Sequence, residues 1–429
     1  MNKAIACLSC CASVFAAALA AAPAAAAAAA RICDPQAYGA RADGVTKDTL
    51  ALQKAIDVCA ADGGGTVRLA AGTYLSAPIV LKRGITLQID RGAKLLGSPD
   101  HSDYPAKIEF RAPGLQSLVS ATNARNVAIT GEGTIDGNGE SWWEMARKIK
   151  DAGVMGNDHP RPRLVVFDHC RHIRIEGVTI QNSPMWQVVL YYTDDAVLRN
   201  VRVLAPQFSP NTDAVDPFSS THVVIDHLYT DVGDDAIAIK SGAGNSPGPN
   251  RPSEDITITD CTFLHGHGLS IGSELAGGAH NIRAQRIRFN GTDNGIRVKA
   301  NRDRGNDVSH LVFRDIEMTN VRNPIIMSEY YPKVLAPPGE TAQPVTRLTP
   351  HFHDILIENL TATGSASLGA IVGLPESPIL GVRMRNVKIS GRQGMVIVHA
   401  DVSGIGVELK ADEGKALAEG PGAHVSLRP

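Results

Sequence analysis

The sequence predicts an all-β fold, a right-handed parallel β-helix with one short N-terminal capping helix, and three observations carry that prediction. One phrase keeps restarting: Asn126-Val-Ala-Ile, His172-Ile-Arg-Ile, Asp195-Ala-Val-Leu, His222-Val-Val-Ile, Asp255-Ile-Thr-Ile, Asn281-Ile-Arg-Ala, His310-Leu-Val-Phe and Asp354-Ile-Leu-Ile. From His172 the restarts lie 23, 27, 33, 26, 29 and 44 residues apart, a variable but bounded period. Each is followed by a second short alternating run, such as Gly177-Val178-Thr179-Ile180, with turn residues and no amphipathic helix between them. Alternation over four to six positions marks strands with one buried face. Rung-by-rung self-similarity separates a solenoid from a sandwich or barrel.

The elements follow in order. Lys3, the apolar run Ala4 to Ala22 and small residues up to Ala30 read as a secretory signal peptide, removed from the mature protein. Residues 31–429 read as a single domain. A solenoid must cover its open end, and Asp48 to Cys59 suits that cap: Asp48 caps the helix while Leu52, Ile56 and Cys59 line one face. Gly63-Gly64-Gly65 stops the helix before the first strands, Thr66–Leu69 and Ile85–Ile89. Three Gly-, Pro- or charge-rich interruptions, Met145–Arg163, Gly242–Glu254 and Tyr331–Pro350, must project from the coil as loops.

Composition excludes several classes. The chain of 429 residues has a formal charge of −2, which becomes −3 once Lys3 leaves with the signal, so neither nucleic acid nor an anionic membrane is an expected partner. No later stretch is apolar enough to span a bilayer. Four of seven cysteines remain after the leader. In an oxidising compartment Cys33–Cys59 is the first choice for a bridge, while Cys170 and Cys261 read equally well as inert buried thiols. Nothing in the sequence bears on oligomeric state.

Four segments share a further design: Thr212-Asp213-Ala214-Val215, Asp234-Asp235-Ala236-Ile237, Gly266-His267-Gly268-Leu269 and Asp293-Asn294-Gly295-Ile296. Aligned on their first apolar residue, they place Asp213, Asp235, His267 and Asn294 at one phase. On stacked rungs about 4.8 Å apart, those side chains form a column. An Asn-Thr-Asp or Asp-Asp alone is ordinary turn chemistry; the shared phase lifts these above it. Asp213, Asp234 and Asp235 would then converge, and like-charge repulsion raises at least one pKa, keeping a proton available for acid–base hydrolysis of a glycosidic bond. His267, between two glycines and above Asp235, suits tuning a carboxylate or binding sugar. Arg297 and Lys299 alternate with Ile296 and Val298, so both face outward. They form either a neutralising network or a grip on an acidic sugar.

Asn211-Thr-Asp213, Gly233-Asp-Asp235, Gly266-His-Gly268 and Arg297-Val-Lys299, in this order and at these separations, resemble the four signature segments of the polygalacturonases. Those are inverting, pectin-cleaving glycoside hydrolases with the parallel β-helix fold of pectin lyases, and the resemblance spans nearly the whole mature chain. It implies Asp234 as general acid, with Asp213 and Asp235 activating water and His267 supporting the acid. Substrate binding falls to Asn211, Arg297 and Lys299. Val298 stands where the family usually has Ile, and Ala214 where it often has Gly. The implied substrate is polygalacturonate or pectin, with no cofactor and no metal. Action at chain ends is slightly preferred over internal cleavage, because the long loops can close one end of a groove. A Ca²⁺-dependent pectate lyase and a noncatalytic glycan-binding solenoid are the competing readings.

Overall fold

The eight residues that open the repeated phrase adopt one backbone conformation. Asn126, His172, Asp195, His222, Asp255, Asn281, His310 and Asp354 all have φ between 53° and 56°. This is the left-handed region, which Asn, Asp and His tolerate better than other side chains. The ladder skips them: Arg125 pairs with Arg171 and Val127 with Ile173, leaving Asn126 and His172 as the bend between two strand columns. The choice of residue at each restart is therefore a corner requirement. Past the corner, Val127, Ile173, Ala196, Val223, Ile256, Ile282, Leu311 and Ile355 stack in a single pairing column. Each is at most 1% exposed, so the core is a continuous file of apolar side chains.

The computed structural model describes residues 31–151, 159–244 and 250–429; the leader at 1–30 lies outside them. The described residues form a right-handed parallel β-helix, with 31 strands in one sheet. One column runs through Val165–Asp168, Val188–Tyr191, Val215–Phe218, Ile237–Ile239, Leu269–Gly272, Asn294–Lys299 and Asn323–Ser328, every neighbouring pair parallel. Among the described residues no helix is long and apolar enough to cross a membrane.

The expected cap is the helix Thr49–Ala61, with Leu52, Ile56 and Cys59 fully buried. Asp48 precedes it but does not cap it with its side chain. Its carboxylate instead accepts the backbone N–H groups of Arg41 and Ala42, at 2.7 and 2.9 Å. That adjoining turn outcompetes the helix for the carboxylate. Cys33 and Cys59 are bridged, with Cα atoms 6.1 Å apart, which ties the first strand to the cap. The bridge closes a separation of 26 residues, so Cys33→Ser should cost roughly 3.5 kcal/mol by the loop-entropy relation. Urea unfolding of the variant against the oxidised parent measures it.

Two insertions depart from expectation. Met145–Arg163 does not begin as a loop, because Met145 lies inside an α-helix, Glu140–Asp151. Trp142 and Trp143 bury it: His101 stacks on Trp142 at 3.5 Å, and Trp143 Nε1 donates to Ser183 O at 2.9 Å. Residues 152–158 of this insertion, and 245–249 of Gly242–Glu254, lie outside the described residues. Tyr331–Pro350 has no regular structure, as expected, and Arg302 pins it through Glu340 at 2.8 Å. A second addition was not foreseen: an antiparallel hairpin, Ala106–Glu109 with Ala112–Leu115. Its two turn residues, Phe110 and Arg111, have φ of 50° and 63°, the positive values that tight hairpin turns need and that Asn or Gly usually supply.

Candidate active site

Strand register brings the four segments together. Val215 pairs with Ile237, Ile237 with Leu269 and Leu269 with Ile296. The ladder extends below them, since Ala214 N donates to Asp235 O and Ala236 N to Gly268 O, both at 2.9 Å. Asp213, Asp235, His267 and Asn294 thus occupy successive rungs.

Their side chains divide the work differently from the simple column. Gly266 has φ +69°, and a Cβ there would lie 2.2 Å from Asp234 O. Only glycine lets the chain come that close, and the following residue then donates His267 N to Asp234 O at 2.9 Å. The imidazole consequently meets Asp234, with Nδ1 to Oδ1 at 2.9 Å, instead of the Asp235 one rung below it in phase. The same Oδ1 accepts Asp235 N–H at 2.9 Å. Asp235 turns the other way and is sealed: Ser270 Oγ donates at 2.7 Å, Lys299 Nζ at 2.8 Å, and Arg297 stands at 3.6 Å. Asp234 is the most open of the three, its side chain 19% exposed against 4% for Asp213 and 1% for Asp235.

Lys299 is therefore a buried partner of Asp235, unlike the exposed cation expected, whereas Arg297 keeps more of its surface. Tyr331, at the start of the third insertion, places its ring 5.9 Å from Arg297 and 5.5 Å from Lys299. Asn211 Oδ1 accepts from Arg161 at 2.7 Å, and Arg161 also donates to the carbonyls of Pro184 and Pro210. Asp234, Asp235 and His267 bring ligand atoms within 4.8 Å of one another, yet the two cations on Asp235 oppose a metal there.

Two residues of the cluster, Asp216 and Glu274, escaped the sequence reading. Lys240 Nζ lies 3.6 Å from both Asp213 and Asp216 and 3.5 Å from Glu274. Asp216 shares the outward phase of Ser270 and Arg297, one place after the first apolar residue, so the same alignment read one position further would have found it.

Burial and the neighbouring Asp234 and Asp216 raise the Asp213 carboxyl well above the usual range. Burial, only partly offset by Lys240, pushes Asp216 up to about 7. For Asp235 burial acts upward too, but Lys299, then Arg297 and Lys240, reverse it and hold the group well below its ordinary value. The Asp234 hydrogen bond raises His267 above 6.5 despite burial. Burial brings Arg161 down to about 10. The signs follow. The raised His267 stabilises the fold fully below its unfolded pKa and loses that contribution as pH rises through the folded one. Asp213 and Asp216 hold protons longer folded than unfolded, so they too favour the fold less as pH rises. Asp235 contributes above its unfolded pKa, and that is lost as pH falls. From Asp216 alone, stability should decline as pH rises from about 4 to about 7, between its ordinary value and its folded one, and Asp216→Asn should flatten that slope, measured by Tm across the range.

Beside the acids a cavity of about 470 Å³ is lined by the 106–115 hairpin, Trp186, Tyr192, Phe218 and Glu274. Phe110 stacks with Phe218 at 5.9 Å and meets Tyr191 edge-on at 4.7 Å, while Arg163 sits over Phe110 at 4.6 Å. Glu274 and Trp186 both reach Lys240, which joins this cavity to the carboxylates.

The sequence matches the family model of glycosyl hydrolases family 28 over residues 70–404. It is 30% identical over 381 residues to an endo-polygalacturonase of Pectobacterium parmentieri, covering 84% of this chain and 89% of the relative. A probable polygalacturonase of Vitis vinifera is 30% identical over 374 residues, covering 82% and 73%. Among solved structures, a hyperthermoactive exopolygalacturonase from Thermotoga maritima aligns with a TM-score of 0.77 at 27% identity, covering 90% of this chain and 93% of that one. With the fold, the register of its acidic rungs and these matches in agreement, the chain belongs to family 28 of the glycosyl hydrolases and is a glycoside hydrolase.

Proposed function

We propose that the protein is an exported polygalacturonase that hydrolyses α-1,4-galacturonosyl bonds of polygalacturonate or pectin with inversion, working from chain ends. The observation that carries the reading is the division of the three acids into one open and two sealed carboxylates, with an arginine on the next rungs. Asp234 is the accessible acid: His267 and the Asp235 N–H hold its Oδ1, so Oδ2 carries the proton that passes to the leaving oxygen. Asp235, kept ionised by Lys299 and Arg297, takes a proton from the attacking water on the opposite face, and Asp213 positions that water. Arg297 and Asn211 meet the sugar, Arg297 through its carboxylate, which a planar guanidinium suits. The family membership and the names of the relatives support the substrate class.

The chain-end preference rests on the cavity walled by the 106–115 hairpin, because a groove stopped on one side receives a terminus more readily than a continuous strand. Export rests on the charged, then apolar, then small-residue pattern of 1–30, and the mature chain from residue 31 is then the catalytic domain. Polygalacturonate digestion, sampled early, tests the whole. New reducing ends without ultraviolet-absorbing unsaturated products, unaffected by chelator and released at a single small size, are expected. Unsaturated, chelator-sensitive products would instead mean a lyase, and an early spread of oligomers would mean internal cleavage.

A further inference from the structure

Away from the acidic cluster, on another strand column, three rungs bring imidazoles around one carboxylate. Asp307 pairs in register with His351, and His280, Ser309 and His353 form the adjacent file. Between them Val308 and Phe352 are fully buried, so alternation turns Asp307, His351 and His353 outward together. Ligand atoms of Asp307, His351 and His353 lie within 4.8 Å of one another. His353 Nε2 is 2.7 Å from Asp307 Oδ1, and His280 Nδ1 is 3.2 Å from Asp307 Oδ2. Around a tetrahedral zinc with bonds of about 2.0–2.1 Å, ligand atoms stand roughly 3.3 Å apart. The His280–Asp307 spacing already matches, and the His353–Asp307 pair needs to part by about half an ångström.

The outer partners of His351 and His353 fix which nitrogen those two rings present. Ser377 Oγ donates to Pro350 O at 2.7 Å, so it can only accept from His351 Nδ1, at 3.4 Å. His351 Nδ1 is then protonated, and its Nε2 carries the free lone pair. His353 Nδ1 faces the Asp354 carboxylate at 3.0 Å and must donate to it. Metal-bound histidines characteristically give their second N–H to such a carboxylate or oxygen. Among the described residues, the two other clusters of this kind are already neutralised by cations. Asp226 and Asp260 are paired with Arg199 at 3.0 Å and Arg286 at 2.7 Å, and Asp235 with Lys299 at 2.8 Å. Among the described residues, Asp307 and Asp354 form ion pairs with histidines alone.

We propose that Asp307, His351 and His353, with His280 as a fourth ligand, form a binding site for one divalent transition ion of the zinc type, which staples three rungs of the coil. Imidazole with a single carboxylate suits zinc over calcium or magnesium. The ion takes the place of the proton between His353 Nε2 and Asp307, so one proton leaves for each ion bound. It takes no part in the hydrolysis proposed above, and its test does not use activity.

Full-length protein stripped with chelator and titrated with ZnCl₂ by calorimetry should bind one ion per chain. Zinc should raise Tm, and excess chelator should reverse the rise. His353→Ala should weaken binding at least tenfold and abolish the shift in Tm; His351→Gln, which keeps a polar group beside Ser377, should do the same if His353→Ala folds poorly. Absence of saturable binding overturns the proposal. So does binding unchanged in both variants, or binding lost instead in His227→Ala or His267→Ala.

Discussion

Asp234→Asn should lower turnover on polygalacturonate by at least about a hundredfold while leaving fold and substrate affinity in place, since general acid catalysis contributes typically 10²–10⁴. The substitution is close to silent structurally. Asp234 Oδ1 accepts both the Asp235 N–H and His267 Nδ1, and an amide oxygen in the same place accepts both. What disappears is the ability to carry a proton, and with it the negative charge that raises His267. The imidazole of the variant should therefore titrate lower than in the parent, a shift that histidine proton resonances report independently of turnover. The decisive measurement is the rate of reducing-end release by a pure preparation, beside calorimetric binding of oligogalacturonate and Tm. A rate within tenfold of the parent, with the His267 titration shifted as expected, would remove Asp234 from the acid role. A large loss of Tm would show instead that the charge holds the rungs together.

Much of the coil was legible because its rules are local. Left-handed corners demand Asn, Asp or His, and alternation behind each corner sets the buried file, so the eight restarts could be read directly from residue type. The registry of Val215, Ile237, Leu269 and Ile296 followed from the same alternation, and it brought the acids together. What was not legible depends on side chains turning toward partners far along the chain. Nothing local to Asp234-Asp235 says which member turns to His267 and which to Lys299; the close approach allowed at Gly266 settles it. Lys240 gathers Asp213, Asp216 and Glu274 from three rungs, a convergence no single window displays. The hairpin was hidden because Phe110-Arg111 lacks the Asn-Gly signature of its turn. Its conformation is upheld instead by the Phe110 ring packed among Tyr191, Phe218 and Arg163. The helix Glu140–Asp151 was missed although Trp142, Met145, Ala146 and Ile149 recur at helical spacing, because the Gly-, Pro- and charge-rich residues that follow made the whole insertion read as a loop.

Lys299→Met should destabilise the fold by about 3 kcal/mol, the lower end of the loss seen when one partner of a buried ion pair is removed. Methionine keeps much of the side-chain length, so packing changes little and the effect reports the charge. Asp235 is 1% exposed at its side chain, and Lys299 is the largest influence holding it ionised against burial. Arg297 at 3.6 Å and Lys240 remain, which is why the loss falls at the low end. The pH dependence separates this from a packing defect. In the parent, Asp235 stabilises the fold above its unfolded pKa and the contribution is lost as pH falls. In the variant, burial acts with less opposition and the carboxyl binds its proton more readily, so the penalty should be larger at neutral pH than near pH 4. Asp235→Asn in the same background removes the uncompensated charge and should recover part of the loss, giving a favourable coupling in the double-mutant cycle. Arg297→Ala is the contrast: its partly exposed guanidinium should cost less than about 1 kcal/mol of stability and weaken affinity for polygalacturonate. Urea unfolding at the two pH values, with KM for each variant, distinguishes the residues. If Lys299→Met instead left stability within about 1 kcal/mol of the parent and raised KM as Arg297→Ala does, the lysine would be a substrate contact, and the sealed state of Asp235 would not depend on it.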